Sequence, residues 1–239
     1  KLFPADLRTP EAIQCLRRTI VTARTSSELL EWWMSCRPEY IALCHSSINV
    51  DCICRSMSMM HELHIGLSDW LGVSLQPLAQ MLWRILSCAQ VEVLKNHVKE
   101  LLGLFAETYH ENGGPTLDAE LLFYQFRIAV VLQCGLLVDN LPQLDNWCPK
   151  EQWASIENFH CGGMFSRSEG CPSIWQFMKT FVSMLAVIHY HDVVGFLEVG
   201  MPVIHAERAS TRGQVLESTN ALAWSYWCTA KDGVEVRAE

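Results

Sequence analysis

Hydrophobic positions recur every three or four residues through most of this chain, and the places where the rhythm stops mark its elements. Thr9, Pro10 and Glu11 make a helix start, with Thr as N-cap, Pro in the first turn and an acid against the dipole. The helix that follows carries Ile13, Leu16 and Ile20. A second helix is predicted from Ser26 or Ser27, presenting Leu29, Leu30, Trp32 and Trp33 before Pro38. Residues 40–44 read as a short buried strand, and 50–55 with 63–67 as a hairpin around a polar, Met-rich turn. From Pro77 the pattern turns helical. Val91, Leu94, Val98, Leu101, Leu102 and Phe105 keep one apolar face until Gly113-Gly114-Pro115 stops it. Asp118 caps the next helix, in which Leu121, Leu122, Phe126, Ala129 and Val130 recur at the same spacing. A looser segment, 142–172, contains Trp147 and Trp153. Ser173 with Gln176 is a capping-box signature for a last helix through Ile174, Phe177, Met178, Phe181, Leu185 and Ile188. After Gly200-Met201-Pro202 the periodicity fades. From about residue 203 the chain reads as an extended tail with an aromatic knot at Trp224, Tyr226 and Trp227.

Composition narrows the class. With 239 residues, 50% hydrophobic and 18% charged, the chain can fill one generous core or two small ones. The formal charge of −8, with no Lys/Arg cluster, argues against a nucleic-acid-binding surface. The longest apolar runs, 128–132 with 135–138 and 181–188, fall short of the roughly 20 residues that a bilayer requires, so no membrane span is predicted. Lys1 in place of Met, with no signal-like apolar stretch after it, fits a protein processed after import into a chloroplast or mitochondrion, with a cytoplasmic location as the alternative.

Eleven cysteines do not follow disulfide-scaffold or zinc spacing, and an odd number leaves a free thiol. Cys88 and Cys134 lie in apolar helical patterns and read as small buried hydrophobes. Cys161 and Cys171 flank a Gly/Ser-rich loop and are the one pair placed to bridge, although reduced thiols are expected. Neither a metal nor a cofactor is expected. His189 and His191 sit two apart on a helix and point about 200° apart. His61-Glu62-x-His64 lies in a turn. Cys44-His45 pairs a thiol with an imidazole, but neighbours on a strand face opposite sides. Of the nine tryptophans, Trp70 and Trp83 are assigned to the core. Trp32 and Trp33 cannot both face one side, and Trp224 and Trp227 lack an evident core. Trp33, Trp224, Tyr226 and Trp227 are therefore the candidate partner contacts.

One constellation carries chemistry. Cys44-His45-Ser46-Ser47-Ile48-Asn49-Val50-Asp51-Cys52-Ile53 is followed by Leu67-Ser68-Asp69-Trp70. These stretches resemble the C-terminal lobe of the aminoglycoside phosphotransferase and choline-kinase-like families. There, His-Gly-Asp is followed by four residues and then an Asn, and an Asp followed by an aromatic comes about twenty residues later. His45 stands in the His position, Ser46-Ser47 in Gly-Asp, Cys52 in Asn, and Asp69-Trp70 in the downstream pair. The segment from Gly72 to Trp83, the helix with His97, the Gly-Gly-Pro break and Phe123-Tyr124-Gln125-Phe126-Arg127 follow in the family's order, over roughly 10–198.

Phosphoryl transfer needs those residue types because it is mostly positioning and charge neutralisation: an Asp orients the acceptor hydroxyl, while Asn and a second Asp hold magnesium. Serine has no useful basicity near neutral pH, and a thiol is a poor partner for magnesium. Fewer than 50 residues precede His45, too few for a nucleotide-binding lobe. Asn49 or Asp51 could stand in as a ligand beside Asp69 without restoring a base.

The resemblance therefore implies a mainly α (α+β) fold. A degenerate kinase-like C-lobe with a short β-hairpin and a helical array would occupy 1–199, and an extended tail 200–239. It implies a non-catalytic structural or adaptor subunit; the candidate aromatic contacts, the tail and the expected processing point to other proteins of a larger organellar assembly, with the chain peripheral to a membrane if that assembly is membrane-bound. The alternatives are a residual nucleotide or small-molecule binder at Asp69, or a phosphotransferase completed by a separate N-lobe chain.

Overall fold

The computed structural model describes residues 2–45, 48, 53–57, 63–68, 70, 72–148, 153, 156 and 174–214. The chain is mainly helical with short antiparallel strands, as its periodicity predicts. Contacts divide it into two compact units, Lys1–Glu198 and Val199–Glu239.

The first unit is built around one central helix. A turn at Ala5–Arg8 leads into α1, Pro10–Ser35, whose Thr9 Oγ1 accepts the Ala12 N–H at 3.2 Å. This is one helix of 26 residues, where two were expected. The Ser26-Ser27 pair does not break it because Ala12, Thr19, Ala23, Leu30 and Met34 form one continuous buried stripe on either side of the pair. Thr19, Thr22 and Thr25 donate their hydroxyls to the carbonyl four residues back, which the helix tolerates. Trp33 lies in that core with Arg37 stacked 4.5 Å over its ring, so its assignment as a partner contact is corrected.

A turn at Pro38–Tyr40 delivers β1, Ile41–His45. Then come β2, Ile53–Met57, and β3, Leu63–Leu67, paired from Ile53 opposite Leu67 to Met57 opposite Leu63, which is the expected hairpin. A further strand, β4, Val73–Pro77, was not anticipated. It pairs with β1 from Ile41 opposite Pro77 to His45 opposite Val73, so one two-stranded ribbon opens and closes around the other. Pro77 had suggested only a turn into the next helix. Pro ends the ladder harmlessly because it occupies the last strand position.

The helices α2 (Leu78–Leu86), α3 (Val91–Asn96), α4 (Val98–Glu111) and α5 (Ala119–Asp139) follow. The expected single helix from Val91 is split at His97, although Leu94, Val98 and Leu102 still share a buried face. It stops where Gly113 takes φ +91°. Asp118 caps α5, its Oδ1 accepting the Glu120 and Leu121 N–H groups at 2.8 and 3.2 Å. Buried residues on α5 include Leu122, Phe126, Ile128, Val130, Val131 and Cys134. Helices α1, α2, α4 and α7 pack on it. It is long and apolar enough to cross a membrane, but 56% of its apolar window is buried inside the protein, as for a core helix. After the short α6, Leu144–Trp147, α7 spans Ile174–Tyr190 and buries every core position expected of it. Ser173, the proposed cap, lies outside the described residues.

The last helix, α8, Val193–Gln214, corrects the tail expectation. Residues 200–214 are helical rather than extended. Pro202 removes one backbone hydrogen bond, but Ala206, Glu207, Arg208 and Ala209 are good helix formers and the helix continues. These residues belong to the second unit. Trp224, Tyr226 and Trp227 lie outside the described residues.

Candidate functional site

Strand β1 ends at the site the sequence singles out. His45, its last residue, is only 3% exposed. Its Nε2 lies 2.9 Å from the Ser68 carbonyl, which fixes the proton on Nε2 and makes that N–H the donor. Ser68 immediately precedes Asp69, so this bond ties the His45 end of β1 to the start of the Asp69-Trp70 pair. The His45 Nδ1 is buried and has no hydrogen-bond partner among the described residues. Trp70 covers the imidazole, ring centroids 5.2 Å apart at 53°, and donates its indole N–H to the Leu67 carbonyl at 3.0 Å.

Trp70 is nevertheless 57% exposed, which corrects its assignment to the core; Trp83 is buried as expected, edge-on to Phe126. Its bond to Leu67 and its contact with His45 hold Trp70 as an outer cover on the imidazole.

Cys44 and His45 do not form a nucleophile–base pair. The Cys44 thiol points to the Gln76 carbonyl across the ribbon at 3.8 Å, while the imidazole is committed to Ser68. Burial pushes the Cys44 thiol up from its ordinary range, away from the thiolate a nucleophile needs. Gln76 links this strand pair to the helical array: its Nε2 donates to the Cys44 carbonyl at 3.5 Å and its Oε1 accepts from Arg84 on α2 at 2.9 Å.

Ser47, Cys52 and Asp69, together with Asn49, Asp51, His61 and Glu62, lie outside the described residues, as do Cys161 and Cys171. His64 is described and exposed. Among the described residues no three His, Cys, Asp or Glu side chains stand close enough to share a metal ion. Cys134 is enclosed and its thiol is pushed up to about 12 by burial. Cys88 is only half-buried, beside the Thr180 hydroxyl at 3.8 Å.

The outer face of the strand region carries a feature that the strand expectation missed. Leu43 and Leu75 are directly opposite in the β1–β4 register and are 71% and 69% exposed. Ile65 on β3, 66% exposed, and Trp70 add to the apolar side chains that the strand region presents. The alternation of Val73, Leu75 and Pro77 with Ser74 and Gln76 was the available signal, but it does not say which face is covered. No protein-family model, curated protein or solved structure matches this chain, so the phosphotransferase resemblance rests on the residues quoted above.

Proposed function

We propose that this chain is a non-catalytic adaptor or structural subunit, built on a degenerate phosphotransferase-type C-lobe, that docks another protein through the outer face of its strand region. The observation that carries the docking is the opposed pair Leu43 and Leu75, each about seven-tenths exposed on a two-stranded ribbon. Exposed apolar side chains grouped this way favour protein contacts, because their burial yields about 25 cal/mol per Å² before association costs. The loss of activity is read from Ser47 and Cys52 standing where a base and a magnesium ligand are required. The His45–Ser68 bond supports the ancestry, since it joins the two motif segments that such a lobe must bring together.

The test is the native mass in a gentle extract. The wild type is expected well above its own 27.2 kDa, and the double variant Leu43→Thr/Leu75→Thr close to it with unchanged circular dichroism. Thr keeps β propensity while removing apolar surface. A wild type that runs as a lone chain overturns the adaptor reading. Retention of the double variant in the complex moves the contact elsewhere, and Trp224→Ala/Trp227→Ala then asks whether it lies at the aromatic knot. A saturable thermal stabilisation by magnesium-nucleotide, lost in Asp69→Ala, would favour the residual binder instead.

A further inference from the structure

The corner where α7 meets α8 holds a group of interlocked charges and rings that the docking reading does not use. Arg127, on α5, lays its guanidinium over three aromatic rings: Phe196 at 3.9 Å, and Phe123 and Tyr124 at 4.7 Å each. Phe196 belongs to the first turn of α8, and its ring also meets Tyr124 edge-on at 5.0 Å. Arg127 is therefore the clamp that holds this turn against α5. The same guanidinium donates to the His191 carbonyl at 3.3 Å.

His191 sits at the corner itself. Its Nε2–H donates to the Leu94 carbonyl of α3 at 2.6 Å, and its ring stands edge-on to Phe123 at 5.4 Å. The next residue, Asp192, adopts φ +42°, uncommon for a residue with a side chain. It starts α8 by accepting the Gly195 N–H on its carboxylate at 3.1 Å and the Phe196 N–H on its carbonyl at 2.9 Å. The turn is thus held at two points, the Asp192 cap and the Arg127 clamp, with His191 between them.

We propose that this corner is a pH-sensitive latch: a proton on His191 sets an imidazolium against the Arg127 guanidinium and loosens the hold of α5 on the first turn of α8.

The charged groups around the ring decide the direction. From α5 come Arg127 and Glu120, and from α4 comes Lys99, ion-paired to Glu120 at 3.3 Å. From α3 come Lys95, lying over the Tyr190 ring, and Glu92; from the N-terminal turn comes Asp6, bonded to the Tyr190 hydroxyl. Asp192 and Glu198 are the carboxylates at the start of α8. Glu120 is engaged by Lys99, Glu198 by Arg18, and Asp192 by its own helix cap. Burial, with Arg127 and Lys99, holds the imidazole below its ordinary value against the pull of the Leu94 carbonyl. The folded ring therefore binds its proton less readily than a solvated one near 6.5. The stability it contributes is present above about pH 6.5 and is lost as pH falls through the lower folded value.

The experiment is amide exchange by NMR on the whole chain, as protection factors at Gly195, Phe196 and Leu197 from pH 7.5 to 5.0, with the His191 ring titration followed alongside. The wild-type ring should titrate below 6.5. Protection at the three amides should fall on acidification, approaching about tenfold for each unit of depression, while amides in the middle of α1 hold theirs. In His191→Gln, protection at these amides should not change with pH. If that variant does not fold, Arg127→Met decides, since removing the clamp should raise the His191 titration and abolish the pH response at Phe196. A ring titrating at or above 6.5, wild-type protection that does not change, or an equal fall in whichever variant folds overturns the latch.

Discussion

Tyr40→Phe removes a single oxygen at a point where three elements meet, and its cost can be worked from the structure. Tyr40 is 2% exposed and closes the turn before β1. Its hydroxyl accepts the Asp118 N–H at 2.9 Å and donates to the Asp118 carbonyl at 3.3 Å, which fastens the strand region to the N-cap of the central helix α5. The two bonds are not equal. The carbonyl also accepts the Leu122 N–H at 2.9 Å and keeps that partner after substitution. The Asp118 N–H loses the phenol oxygen and gains nothing, because Phe has no acceptor.

A net hydrogen bond contributes about 1 kcal/mol, and this one is only partly buried beside an exposed Asp118, so the substitution should destabilise the fold by about 1 kcal/mol. For a chain of this size that lowers Tm by about 2–4 °C. Urea unfolding followed by circular dichroism should show a lower midpoint at unchanged slope, the mark of a stability change in an otherwise similar fold. Asp118→Ala, which keeps the backbone N–H but removes the carboxylate cap, should cost about 1 kcal/mol. The double variant should depart from additivity by about 0.5 kcal/mol or more, since both changes act on one residue's backbone. A loss below about 0.5 kcal/mol for Tyr40→Phe would refute the argument that this hydroxyl holds the cap.

Three other outcomes follow from the same interior. Gln125 on α5 is fully buried and neither amide atom is hydrogen-bonded among the described residues, so the similarly sized Gln125→Met should raise stability by about 1–3 kcal/mol in urea unfolding; a loss would mean the amide is satisfied after all. Gly114→Ala would place its Cβ 2.6 Å from the Tyr109 ring, itself stacked on Phe105, and should lower Tm clearly, whereas Gly103→Ala, in open space within α4, should raise it slightly. Burial, and then the bond to the Asp6 carboxylate, lift the Tyr190 hydroxyl to about 12. The stability it contributes is complete below about pH 10 and drains away toward 12, so Tyr190→Phe should flatten the alkaline stability profile, and an unchanged slope would contradict the assignment.

The helical framework could be read in the sequence because its signals are local. Thr9 and Asp118 satisfy backbone N–H groups two or three residues away, and Gly113-Gly114 ends α4 by its own backbone freedom. The apolar spacing of α7 marks Ile174, Phe177, Met178, Phe181, Leu185 and Ile188, although Val182, Ser183, Met184, Ala186 and Val187 between them are buried as well. Ser26-Ser27 and Pro202 were misleading for the same reason: each is a breaker in isolation, but the surrounding helix satisfies or tolerates it. The resemblance singled out His45, although nothing in the sequence names Ser68 as its partner.

What tertiary structure alone decided lies between residues far apart in the chain. The pairing of β1 with β4, the exposure of Leu43, Leu75 and Trp70, and the stacking of Arg127 on Phe196 all depend on which surfaces the fold brings together. Spacing sets which side chains share a face, but whether that face meets protein or water is settled by elements tens of residues away. The apolar character of Leu43 and Leu75 is written in the sequence, and only the fold shows that it points outward.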